Sequence, residues 1–222
     1  MTQRHWLASY GSIPHDINAD AYRSVVDLLD QAMKRHAHRP AMRCAGQTLS
    51  YADLDRLSRD FAAYLQGPLG VKKGDRIAVM MPNLLAFPIA FLGIARAGAV
   101  QVNVNPLYTP RELEHQLNDA GVQTIVVYGG VSAMVAEVMS RTGLKTVVTV
   151  GGGDGSGKVL PSPPVDARLK GATAFTDALA QGAPLSFTPV DLKGDDLVFL
   201  QYTGGTTGLS KGAALSHRNL IA

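Results

Sequence analysis

From Gly74 to Val150 the chain alternates between two hydrophobic periods, and this alternation restricts the fold more than any other feature. Arg76 to Met81, Ala99 to Val104, Thr124 to Tyr128 and Thr146 to Val150 are short apolar runs, too brief for helices and suited to strands buried on both faces. Between them lie helical segments. Thr109-Pro110-Arg111-Glu112 is a complete helix start: Thr accepts from the third amide, Pro fits the first position, and Glu reaches back to the cap. Asn83 is the candidate cap of the preceding helix and Gly98 its stop, while Pro88 either kinks that helix or delays its start. Val131 to Met139 supplies a third helix. Strand–helix–strand units of this length predict an α/β fold with a mainly parallel sheet flanked by helices on both faces.

Outside this region the pattern extends in both directions. Apolar residues at Tyr22, Val25, Val26, Leu29, Ala32 and Met33 predict a helix over Asn18 to Ala37 with an Asn or Asp as cap. A hairpin follows, Ala41 to Cys44 and Thr48 to Tyr51 around Gly46-Gln47, after which Ser50 with Asp53 opens a helix through Leu65. Residues 151–194 shift to Gly, Ser and Pro and read as a surface excursion carrying a short helix near Thr176 to Ala180. Order returns with a buried strand at Leu197 to Tyr202, a Gly/Thr loop, a second strand at Gly212 to Leu215, and a helix start at Ser216-His217-Arg218-Asn219. Because Ala222 falls inside that helix, the chain reads as a fragment. No repeat of fixed period is present.

Charge and cysteine content narrow the function classes. Lys plus Arg number 21 and Asp plus Glu 18, a net charge of +3 with the basic residues scattered, which gives no footprint for nucleic acid. The single cysteine, Cys44, excludes an internal disulfide framework and fits a reducing compartment. The first twenty residues show no apolar region after a basic head, so no signal peptide is read. The most apolar stretch, Leu84 to Ala95, is shorter than the ~20 residues a membrane span requires.

The chemistry concentrates in Y-T-G-G-T-T-G-L-S-K-G, Tyr202 to Gly212. Gly204, Gly205 and Gly208 let the backbone curl so that several N–H groups point at one anion; Thr203, Thr206 and Thr207 add hydroxyls and Lys211 a positive charge. Hydrogen bonds to charged groups contribute roughly 1.5–3 kcal/mol each, so such a loop can hold a polyphosphate without a deep apolar pocket. A plain turn needs one glycine and none of the threonines. A second cluster, Gly152 to Lys158, matches G-x-x-x-x-G-K, but Val159 replaces the hydroxyl residue and Pro161, Pro163 and Pro164 forbid the helix that should follow, so it reads as a surface loop. His217 lacks partners at metal spacing and reads as a capping or packing residue, and His115, beside Glu112 and Glu114, as a helix-surface residue. No paired catalytic carboxylates and no nucleophile with its base can be picked out.

Tyr202 to Gly212 resembles the phosphate-binding signature of the adenylate-forming enzymes. M-M-P-N-L-L (Met80 to Leu85), R-A-G-A-V (Arg96 to Val100) and the run from Asn103 to Gly121 closely resemble the bacterial long-chain fatty-acid-CoA ligases. Gly204 stands where many members carry Ser, and Ser210 where many carry Pro; neither change removes a backbone donor. The resemblance implies that residues 1–222 are an incomplete N-terminal AMP-binding domain and that the C-terminal domain, with its catalytic lysine, lies outside the sequence. It implies a two-step reaction: activation of a long-chain fatty acid by ATP to an acyl-adenylate with release of pyrophosphate, then transfer to coenzyme A with release of AMP. It assigns Tyr202, Thr203, Gly204, Gly205, Thr206, Thr207, Gly208 and Lys211 to the phosphates, Lys211 as the catalytic residue, and Thr203 as a hydroxyl ligand of Mg²⁺. The expected partners are the fatty acid, ATP and coenzyme A, with no nucleic acid, in the cytoplasm. Peripheral contact with the inner face of the membrane and a homodimer of the parent stay open. The rival readings are a ligase for medium-chain or aryl acids, a non-catalytic nucleotide-binding module, and a P-loop hydrolase.

Overall fold

Each apolar run of the central region forms a strand, and each intervening segment a helix, in the computed structural model, which describes residues 4–157, 160–203 and 210–222. The elements are α1 (Val25–His36), β1 (Pro40–Cys44), β2 (Gln47–Ser50), α2 (Tyr51–Gln66), β3 (Arg76–Met80), α3 (Ala86–Arg96), β4 (Val100–Asn103), α4 (Pro110–Asp119), β5 (Thr124–Tyr128), α5 (Ser132–Val138), β6 (Thr146–Val150), β7 (Thr173–Ala174), α6 (Phe175–Gly182), β8 (Leu197–Thr203), β9 (Lys211–Ser216) and α7 (His217–Ile221). Seven strands form one sheet in the order β7-β6-β5-β3-β4-β8-β9, parallel throughout except for the antiparallel pair β8–β9. β1 and β2 make a separate hairpin.

The order dictates where the helices go. From β3 the chain steps to β4 through α3, then passes back across β3 to β5 through α4 and onward to β6 through α5. Right-handed crossovers in opposite directions must lie on opposite faces. Accordingly α3 lies with α1, α2 and α6 on one face, where Phe61, Leu65, Ile89 and Phe175 pack on Ile77, Val79, Val126 and Val148. Leu113 and Leu117 of α4 and Val135 and Val138 of α5 pack on Ala78, Met80, Val102, Ile125 and Val127 on the other.

Local chemistry accounts for most boundaries. Thr109 caps α4 in a full capping box with Glu112 and Pro110 at its first position. Pro88 delays its helix: α3 begins only at Ala86, so the missing N–H falls in the first turn, where no carbonyl awaits it. Ser50 accepts from the Asp53 amide and donates to Asp53 Oδ2 at 2.6 Å. The first helix differs from expectation. Its cap is buried Ser24, whose Oγ accepts from the Asp27 amide at 3.1 Å, and Asn18 and Asp20 lie ahead of it.

Two further expectations are corrected. The stretch over 151–194 is surface only in part: β7 adds to the sheet beside β6, and Phe175 of α6 packs against Phe61 with ring centroids 4.9 Å apart. α6 lies so close to α2 that a Cβ on Gly182 would fall 1.8 Å from the Asp60 carbonyl oxygen. β8 is half-buried rather than buried, with Leu197 41% exposed, because only part of its surface is covered, Phe199 stacking on Phe91 of α3.

Candidate functional site

Helices leave β3 and β4 on opposite faces, so the sheet opens a crevice at the carboxyl ends of these strands, the place where open α/β sheets bind ligands. A cleft of about 430 Å³ lies there, lined by Val79, Phe87, Asn103, Val104, Asn105, Tyr108, Gln201 and Tyr202. Tyr202, which opens the Tyr202–Gly212 segment at the end of β8, lines it. Gly204, Gly205, Thr206, Thr207 and Gly208 lie outside the described residues. The stem is defined: Tyr202 pairs with Gly212, and Thr203 with Lys211, across the β8–β9 ladder. Directly opposed residues of an antiparallel pair share a face. Thr203 and Lys211 therefore lie on the same face at the loop mouth, both exposed.

The stem is held by α4. Tyr202 is buried, and its hydroxyl donates to Asp119 Oδ2 at 2.5 Å. Burial, reinforced by the Asp119 hydrogen bond and charge, pushes the phenol well above its usual range, so it stays a donor. Just before the returning strand, His115 Nε2 lies 3.2 Å from the Ser210 carbonyl oxygen, which can only accept, so the imidazole donates. His115 is thus not merely a helix-surface residue: it is half-buried against the loop. The sequence held one signal for this pair, since positions 115 and 119 are one turn apart on the same helix face.

Side-chain amides floor the cleft. Gln101 Nε2 donates to Asn103 Oδ1 at 2.6 Å, and Asn103 Nδ2 donates to Gln201 Oε1 at 2.7 Å across the β4–β8 pair. Gln116 of α4 donates to the Asn103 carbonyl at 2.7 Å. All lie on or against strands that read simply as apolar runs, so periodicity did not expose them.

The other candidates resolve structurally. At the second glycine cluster, the Gly152 amide donates to Ser162 Oγ, and Asp154 within the cluster accepts from the Gly151 amide just before it, so the first glycine's donor is used by the chain itself. Burial raises the Asp154 carboxyl pKa. Lys158 and Val159 lie outside the described residues, and residues 160–165 form no helix. His217 is buried, its Nδ1 accepting from the Val25 amide at 3.3 Å. Among the described residues no group of three His, Cys, Asp or Glu could hold a metal ion, and no helix is long and apolar enough to cross a membrane.

Comparison with known proteins agrees with this geometry. Residues 29–222 match the family model for AMP-binding enzymes. A long-chain-fatty-acid–CoA ligase of Escherichia coli O6:H1 is 44% identical over 98% of this chain, and the chain spans 41% of that relative's length. Among solved structures, an anthranilate CoA ligase holding anthranoyl-AMP superposes with a TM-score of 0.77 over 91% of this chain and 37% of its own, at 22% identity. A long-chain-fatty-acid-CoA ligase of Archaeoglobus fulgidus gives 0.74 over 90% of this chain and 38% of its own, at 25% identity.

Proposed function

The chain belongs to the AMP-binding enzyme family, and from that premise we propose that the whole protein is a long-chain fatty-acid–CoA ligase. The observation that carries the reading is the 44% identity to such a ligase along 98% of this chain, with the phosphate loop included. In the proposed reaction a fatty-acid carboxylate oxygen attacks the α-phosphorus of ATP and the bond to the β-phosphate breaks, releasing pyrophosphate. The thiol sulfur of coenzyme A then attacks the acyl carbon of the adenylate, loses its proton to solvent and displaces AMP.

Both reactants of the first step are anions, so the work of the site is positioning and neutralisation. Thr203 and Lys211, opposed at the loop mouth, together with residues 204–208, would hold the β- and γ-phosphates and the departing pyrophosphate. Thr203 offers one hard oxygen, which suits an ion that keeps most of its shell on phosphate and water, as Mg²⁺ does. Bound there, Mg²⁺ would neutralise phosphate charge. ATP and coenzyme A as substrates put the reaction in the cytoplasm in this reading.

The test uses the full-length protein with ATP, Mg²⁺, a long-chain fatty acid and coenzyme A. Acid-dependent AMP and pyrophosphate are expected; ADP with phosphate, or no acid-dependent turnover, would overturn the proposal. A panel of medium-chain and aryl acids in the same assay fixes the substrate class.

A further inference from the structure

Helix α4 reaches the phosphate loop from beneath at both ends, and nothing in the proposed chemistry uses it. Its Asp119 accepts from Tyr202, the last buried residue before the loop. One turn earlier its His115 donates to Ser210, the last residue before the return strand. Between these two, Gln116 ties the helix to the Asn103 carbonyl at the cleft floor. The helix itself is fixed: Leu113 and Leu117 are fully buried, Thr109 and Glu112 close its start, Arg76 Nη1 donates to the Ala120 carbonyl at its end, and Asn118 donates to the Arg141 carbonyl.

We propose that His115 and Asp119 are positioning residues for nucleotide binding, a two-point clamp on the stem of the Tyr202–Gly212 loop that sets the spacing of Thr203 and Lys211. The inference rests on the reading of this loop as the ATP site. Holding Tyr202 and Ser210 in place before the phosphates arrive lowers the ordering cost of binding and so tightens it. Neither side chain need touch ATP. The tyrosine ring completes the arrangement: it lies over Gly212 across the ladder, where an added Cβ would fall 2.9 Å from the ring edge. Any larger residue at 212 would displace the hydroxyl that reaches Asp119.

The experiment compares the full-length protein with its His115→Ala, His115→Gln and Tyr202→Phe variants. ATP affinity is measured by calorimetry without fatty acid, and KM by varying ATP and fatty acid separately. His115→Ala and Tyr202→Phe are expected to weaken ATP binding about tenfold each, the loss of one hydrogen bond's worth of ordering, with the KM for fatty acid unchanged. His115→Gln keeps an N–H donor and should recover most of the loss. ATP binding within twofold of the parent in both loss variants would overturn the clamp. So would a parallel rise in both KM values, the mark of general distortion, or a His115→Gln variant no better than His115→Ala. Should the parent bind ATP yet make no AMP, the ligase reading fails while the clamp is still judged by the calorimetry.

Discussion

Ala45 is the only non-glycine with a positive φ among the described residues, at 47°, and with Gly46 at 72° it forms the tip of the β1–β2 hairpin. Two left-handed residues in succession match the right-handed twist of the flanking strands, and Asn-Gly is the pair this turn prefers. An alanine there carries the strain of its Cβ, so Ala45→Asn should raise stability by about 0.5–1 kcal/mol, read as a higher urea midpoint with an unchanged slope. The same scale governs the loop mouth. Lys211 is exposed, opposite Thr203, with no ion pair or side-chain hydrogen bond among the described residues, so Lys211→Ala should leave the thermal midpoint of the protein unchanged. In the proposed ligase it should slow adenylation by about a hundredfold or more, the effect of losing a charge stabiliser, in single-turnover pyrophosphate release. An unchanged rate would remove Lys211 from the phosphate site.

Elements were legible where their signals were local. Thr109 to Glu112 announced α4, and Pro88 placed the delayed start of α3, because caps and prolines act within one turn. Ser24 displaced Asn18 and Asp20 as the first cap, a choice made by tertiary contact: the helix starts where the Val25 amide meets His217, 192 residues away. The burial of α6 and the grip of His115 and Asp119 likewise depend on partners 83 to 122 residues distant, which no window along the chain contains. Arg96 shows how strongly such contacts act. At the end of α3 it is 1% exposed, and its Nη2 donates to Asp30 of α1 at 2.5 Å and to Asp55 of α2 at 2.6 Å, joining three helices through one cation. Its Nε and Nη1 are buried without hydrogen-bond partners among the described residues. Removing the charge while leaving a hole should be worse than replacing it with an apolar chain of similar length. Arg96→Ala is expected to lose about 3–5 kcal/mol and Arg96→Met about half of that, in paired urea titrations; equal losses would show that volume plays no part.

At the scale of the whole molecule, the first helix and the last are one structure. The Val25 amide meets His217; Arg218 pairs with Asp20, and Arg23 with Asp191, so contacts far apart in sequence join α1 and the residues before it to α7 and to the segment before β8. The two ion pairs are exposed and contribute little, which leaves the buried histidine as the decisive contact. Its Nδ1 accepts the Val25 N–H and so must be unprotonated. Burial lowers the His217 pKa from its ordinary 6.5, only partly offset by the Asp196 charge. The folded state therefore binds fewer protons than the unfolded one, and stability must rise with pH across this titration. The contribution is complete above about pH 6.5 and is lost progressively as pH falls from there toward the folded-state value. Carboxylates held down in the folded state, such as Asp53 beside the Ser50 hydroxyl, act in a lower window, starting near their ordinary 3.8. The two windows can thus be separated. The urea midpoint should fall between pH 7.5 and pH 5.5 in the parent, whereas His217→Gln, which can still accept from Val25 but cannot titrate, should flatten the profile over that range. If both proteins lose stability equally between those values, the packing of α1 against α7 does not depend on the protonation of His217.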